Sequence, residues 1–156
     1  MKLMLKKIIY LGFFLLSTKA VFAADLVIQD AWIPEAPPVS KVMAGYMMVH
    51  NKTAKPITLI SASAKGFDYV EMHKTVTEDG LSKMIKQEKL VVPANGKLKF
   101  ERGGLHLMFF GPTRRVVQGE SVPITLKTSD NNTIQFTAQV KEASIKDKHD
   151  HHHHHH

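Results

Sequence analysis

The chain has 156 residues, 44% of them apolar and 22% charged, with 21 Lys+Arg against 14 Asp+Glu and no cysteine. That is enough chain for one globular domain of ordinary size. The missing thiol excludes a disulfide scaffold, a catalytic cysteine, a CxxC redox pair, thiolate zinc, iron–sulfur clusters and blue copper, and equally a lipoprotein, whose anchor is attached through Cys.

Residues 1–23 read as a cleaved signal peptide. Lys2, Lys6 and Lys7 form a positive start, Ile8 to Leu16 an apolar stretch, and Val21-Phe22-Ala23 a cleavage site before Ala24. The apolar stretch falls far short of the roughly 20 residues that cross a bilayer, so no stable membrane insertion is expected after cleavage. Cleavage removes Lys2, Lys6, Lys7 and Lys19 and no acid, which leaves 17 basic residues against 14 acidic ones and a formal charge of +3. No remaining segment interleaves dense Lys/Arg with aromatics, so nucleic acid is not an expected partner. The expected location is the periplasm.

Residues 24–148 alternate apolar and polar side chains at period two and show almost no helical periodicity. Strands are predicted at Leu26–Ile33, Val42–Asn51, Ile57–Ala62, Tyr69–Thr75, Leu81–Lys86, Leu98–Glu101 and Leu105–Phe110. Pro34, Pro37 and Pro38 mark a loop after the first of them. Glu78-Asp79-Gly80, Pro93-Ala94-Asn95-Gly96 and Gly103-Gly104 supply turns. Two further runs, Val122, Ile124, Leu126 and Ile134, Phe136, Ala138, Val140, form a hairpin about Ser129-Asp130-Asn131-Asn132. So many short strands predict an all-β domain, a Greek-key β-sandwich or small barrel.

Residues 149–156 form a His-rich tail, read as a purification tag, although native metal-collecting tails look similar. Either way the tail would hold Cu(II), Ni(II) or Zn(II) and reveal little about the domain.

Enzyme signatures are missing. The sequence contains no GxSxG elbow, HExxH helix, P-loop or strand-borne GxGxxG, and Ser61 and Ser63 have no identifiable base, so the chain is not expected to be an enzyme.

Between the two ends, the chemistry-bearing residues are His50, His73 and His106 with six methionines. In a strand at Leu105–Phe110, Leu105, Leu107 and Phe109 point one way and His106 and Met108 the other, which sets an imidazole beside a thioether. Taken alone, His-x-Met reads as a surface histidine and a gap-filling methionine. His73, however, lies on the Tyr69–Thr75 strand, and the Glu-Asp-Gly turn folds Met84 back toward it. Met72 faces away from His73, toward the core. Met43, Met47, Met48 and His50 read as packing, because nothing else at ligand spacing joins them.

The spacing His73, ten residues, Met84, twenty-one residues, His106, one residue, Met108 resembles the H(M)-x10-M-x21-H-x-M signature of the periplasmic PCuAC copper chaperones. The resemblance covers most of residues 27–128, including Asp30-Ala31-Trp32, Gly45-Tyr46-Met47, Glu71-Met72-His73, Val92-Pro93-Ala94 and the Gly-Gly pair before His106. Two features depart from the family: Ile33-Pro34-Glu35 stands where members commonly carry an Arg, and Thr77 and Ser82 stand where extra methionines are frequent.

The resemblance implies a cupredoxin-like sandwich holding one Cu(I) per domain at His73, Met84, His106 and Met108. Thioethers are soft, neutral donors, and two of them with two imidazoles suit Cu(I) better than zinc, calcium or magnesium. Only the imidazoles need to lose a proton, so binding is expected to weaken as pH falls through their range near about 6.5. The resemblance further implies a monomer that passes copper by ligand exchange to the CuA subunit of cytochrome c oxidase, directly or through a Sco-type thiol protein. The alternatives are a periplasmic copper buffer or resistance protein without a dedicated acceptor, and a metal-free interaction domain.

Overall fold

The computed structural model describes residues 25–143. The expected signal peptide and His-rich tail lie outside the described residues. Those residues contain ten strands and no helix: β1 (Leu26–Pro34), β2 (Val42–Asn51), β3 (Ile57–Ala64), β4 (Phe67–Glu78), β5 (Leu81–Lys86), β6 (Leu90–Val92), β7 (Lys97–Phe100), β8 (Leu105–Pro112), β9 (Ser121–Thr128) and β10 (Thr133–Lys141). The all-β expectation holds.

The strands run in the order β5-β4-β8-β7-β2-β1-β10-β9-β3-β6, and additional β3–β4 and β2–β8 pairings fold the sheet back on itself. The pairings β4–β8–β2–β1–β10–β9–β3 close through Ala62 opposite Val70. Closure removes most open edges and buries the inward face of every strand in the ring. β1 and β10 pair in parallel through Trp32 opposite Gln139 to Pro34 opposite Lys141. β5 stays outside the ring as an edge strand on β4, with all six residues exposed.

The period-two pattern explains which side chains form the core. Along β2, Met43, Met47, Val49 and Asn51 are buried while Val42, Ala44, Tyr46, Met48 and His50 alternate outward. Phe109 is fully buried, and it fits because Gly45 has no side chain: a Cβ there would stand 2.6 Å from Phe109 Cε2. Met72 is a core residue at 3% exposure, packed with Leu107 and Phe109.

The β4–β5 turn carries Asp79 at φ 51° and Gly80 at φ 76°, both left-handed as a two-residue hairpin turn requires. The register that follows, from Glu78 opposite Leu81 to His73 opposite Lys86, fixes where Met84 falls. β6 has no counterpart among the predicted strands. Its Leu90-Val91-Val92 run is too short to show alternation and ends at Pro93, and it becomes a strand by pairing with Ile57–Leu59 of β3.

Candidate metal centre

β4 is the central strand of the site, with β8 on one side and β5 on the other. His73 stands directly opposite His106 in the β4–β8 ladder, and Glu71 opposite Met108. On the other side His73 faces Lys86, and Thr75 faces Met84. Directly opposed residues share a face in an antiparallel pair, so His73, His106, Met108, Met84, Glu71 and Lys86 all lie on one outward face. The thioethers sit diagonally about the histidine pair: Met108 one step along β8 in one direction, Met84 one step along β5 in the other.

The two imidazoles are close and sheltered. Their ring centroids are 5.9 Å apart with a 43° tilt, and His73 and His106 are only 9% and 3% exposed. Phe110 lies 6.3 Å from the His73 ring and stacks on Tyr69 at 4.6 Å, which walls the pair on one side. Met108 is partly buried. Met84 is different, at 60% exposure on the edge strand.

One nitrogen of each ring is committed. His73 Nε2 lies 2.8 Å from Glu71 Oε2, and His106 Nδ1 lies 3.1 Å from the Gly104 carbonyl oxygen. A carboxylate and a carbonyl only accept, so in each ring the committed nitrogen carries the proton and donates it. The Gly104 carbonyl also accepts from the Thr75 N–H at 3.0 Å, which ties the Gly-Gly turn to β4. The remaining nitrogens, His73 Nδ1 and His106 Nε2, are buried side-chain atoms without a hydrogen-bond partner. A buried polar atom left unpaired costs roughly 1–3 kcal/mol, and such an atom in a folded protein calls for a ligand or a functional reason.

Electrostatics favour neutral imidazole at His106. Burial pushes its pKa down, the Gly104 hydrogen bond opposes this, and the neighbouring His73 pushes it down again. The hydrogen bond from His73 holds the Glu71 carboxyl below the usual carboxylate range, with Lys86 acting in the same direction. Lys86 Nζ stands 3.2 Å from Glu71 Oε1. Among the described residues no three His, Cys, Asp or Glu side chains converge as a metal site by themselves. A metal at the two imidazoles would therefore draw its other donors from the thioethers on the same face.

Each predicted site residue thus has a definite place. His73, His106 and Met108 are neighbours in one ladder, and Met84 is an outlying exposed member of the same face. The rival group divides: Met43 and Met47 are core, while Met48 and His50 lie on the outward face of β2 opposite Lys99 and Lys97. At the departure after Trp32, Glu35 accepts hydrogen bonds from Arg115 and from the Gln118 N–H. Trp32 itself packs on Tyr46 at 5.1 Å, with Arg102 and Lys141 within 6 Å of its ring. Glu71 and Lys86 were not among the predicted site residues; the signal was available in Glu-x-His on a strand, a spacing that puts both side chains on one face.

The LpqE-like family model, described as "Putative lipoprotein LpqE-like", matches residues 26–140. The chain belongs to this family. The LpqE-like domain here is 32% identical to Cu(I)-DR1885 from Deinococcus radiodurans, whose solution structure it matches over 80% of this chain and 83% of that one, with a TM-score of 0.64. The copper-bound PCuAC domain from PmoF2 shares the fold, with a TM-score of 0.65 over 78% of this chain and 97% of that one at 18% identity. A protein of Leifsonia xyli subsp. xyli described as "Putative lipoprotein" is 26% identical over 118 residues, 75% of this chain and 70% of that protein. The resemblance to PCuAC domains read from the sequence is thereby supported at the level of family and cupredoxin-like fold. The word lipoprotein belongs to the relatives; this 156-residue sequence contains no cysteine.

Proposed function

We propose that the chain is an exported, non-enzymatic copper chaperone that binds one Cu(I) through His73, His106, Met108 and Met84. The observation that carries this reading is the opposed histidine pair: two buried imidazoles, each with one nitrogen unpartnered, on the face that also presents both thioethers. The copper-bound state of two PCuAC relatives supports the choice of metal. Neutral nitrogen and thioether donors match a soft monovalent ion.

The unequal exposure of the two thioethers suits ligand exchange. Met108 is held in the ladder beside His106, whereas Met84 lies on a solvent-facing edge strand and is the donor that an incoming group can displace first. A partner's thiolate would then enter as Met84 leaves, and copper would pass without being released as a free ion. The destination we propose is the CuA centre of cytochrome c oxidase, directly or through a Sco-type thiol protein, in the periplasm. An anaerobic Cu(I) titration against a chromophoric chelator tests the binding step. One tight equivalent, lost in Met84→Leu/Met108→Leu while the tail is intact, is the expected result. Undiminished binding and undiminished transfer to a CuA acceptor in that double variant would sink the proposal.

A further inference from the structure

Glu71 and Lys86 lie behind His73, on the side away from its unpartnered nitrogen. Glu71 Oε2 takes the His73 Nε2–H at 2.8 Å, and Lys86 Nζ holds the other carboxylate oxygen at 3.2 Å. Lys86 is itself the residue opposite His73 in the β4–β5 ladder, so the three side chains follow from one register. The Glu71 side chain is 23% exposed, sheltered enough for the contact to restrict the ring. His106 has the complementary arrangement, with its Nδ1–H on a main-chain carbonyl and Nε2 left over.

We infer that Glu71, braced by Lys86, is a positioning residue that fixes the His73 ring with Nε2 protonated, so that copper is taken by Nδ1 of His73 and Nε2 of His106. This rests on the proposed Cu(I) site and deepens it, because it assigns the donor atoms and the residues that select them. The same contacts keep Glu71 from serving as a ligand: both of its oxygens are engaged, one by His73 and one by Lys86. An oxygen donor that would favour harder divalent ions is thus withheld from the soft site. Partners that orient a ligating histidine typically influence metal affinity about 10- to 100-fold.

The test uses the nitrogen-15-labelled full chain at neutral pH, with long-range proton–nitrogen spectra of the His73 ring assigned through its loss in His73→Gln. In the metal-free wild type the expected tautomer has the proton on Nε2, and Cu(I) should perturb Nδ1. Glu71→Ala should mix the tautomers and lower Cu(I) affinity about 10- to 100-fold, whereas Glu71→Gln, whose amide oxygen still accepts, should restore most of the loss. A purely structural role for Glu71 would instead lower the unfolding temperature without changing the tautomer. A proton on Nδ1 in the wild type, or Cu(I) bound through Nε2 of His73, would overturn this inference and leave the proposed function standing. No Cu(I) binding by the wild type would overturn both. The wild-type spectra decide the matter even if Glu71→Ala fails to fold.

Discussion

His73 and His106 oppose each other across the β4–β8 ladder at 5.9 Å between ring centroids, and each buries one nitrogen that nothing in the described fold satisfies. The other nitrogen of each ring is already held, by Glu71 and by the Gly104 carbonyl, so the unpartnered pair points to a bound ligand and not merely to two buried rings. The arrangement carries a cost in the metal-free protein that copper would offset.

That cost yields the first expectation. His106→Leu removes a buried unpartnered nitrogen and leaves the Gly104 carbonyl with its Thr75 partner. The metal-free variant should match the wild type in stability or exceed it by about 1 kcal/mol, while the rise in unfolding temperature produced by Cu(I) disappears. Thermal melts with and without Cu(I) check both halves.

The two methionines should separate. Met108→Leu, at the partly buried position beside His106, should weaken Cu(I) binding about tenfold or more, roughly 1.4 kcal/mol. Met84→Leu should cost less affinity and change the rate of Cu(I) handover more, because the exposed edge donor is the one displaced first. Chelator competition reads the first effect and stopped-flow transfer the second.

His106 should titrate below the ordinary value of about 6.5, because burial disfavours its charged form. The sign follows from linkage. Its folded pKa is lower than its unfolded one, so its contribution to stability is fully present above about 6.5 and is lost as pH falls through the folded value. Ring-proton NMR of the metal-free chain should show the lowered midpoint, and denaturant melts should show stability declining in that acidic window.

Asn51 offers a test far from the copper face. Fully buried, it donates to the Lys55 and Val92 carbonyls and accepts from the Thr53 N–H and hydroxyl, tying the end of β2 to β6. Asn51→Leu leaves those partners unmatched and should destabilise the fold by about 2 kcal/mol or more, measured by urea unfolding, with Cu(I) affinity of the folded fraction unchanged.

Nine of the ten strands and the hairpin turns were legible because period-two alternation and Gly, Asn and Asp turn residues are local properties of the chain. The outward placement of His106 and Met108, and the inward one of Met72, follow from the same parity. β6 was hidden because three residues carry no period, and only pairing with β3 makes them a strand. The register that puts His73 opposite His106 joins residues more than thirty positions apart, and closure of the ring through Ala62 opposite Val70 depends on every intervening strand pairing, so both were beyond local pattern. So the sequence by itself determined the donor types, since soft thioethers and imidazoles without thiolate are a matter of composition. Only the tertiary structure decided which nitrogen each imidazole keeps free, that Glu71 and Lys86 brace one of them, and that Met84 stands exposed while Met108 is sheltered, because hydrogen-bond partners and burial are set by which strands lie side by side.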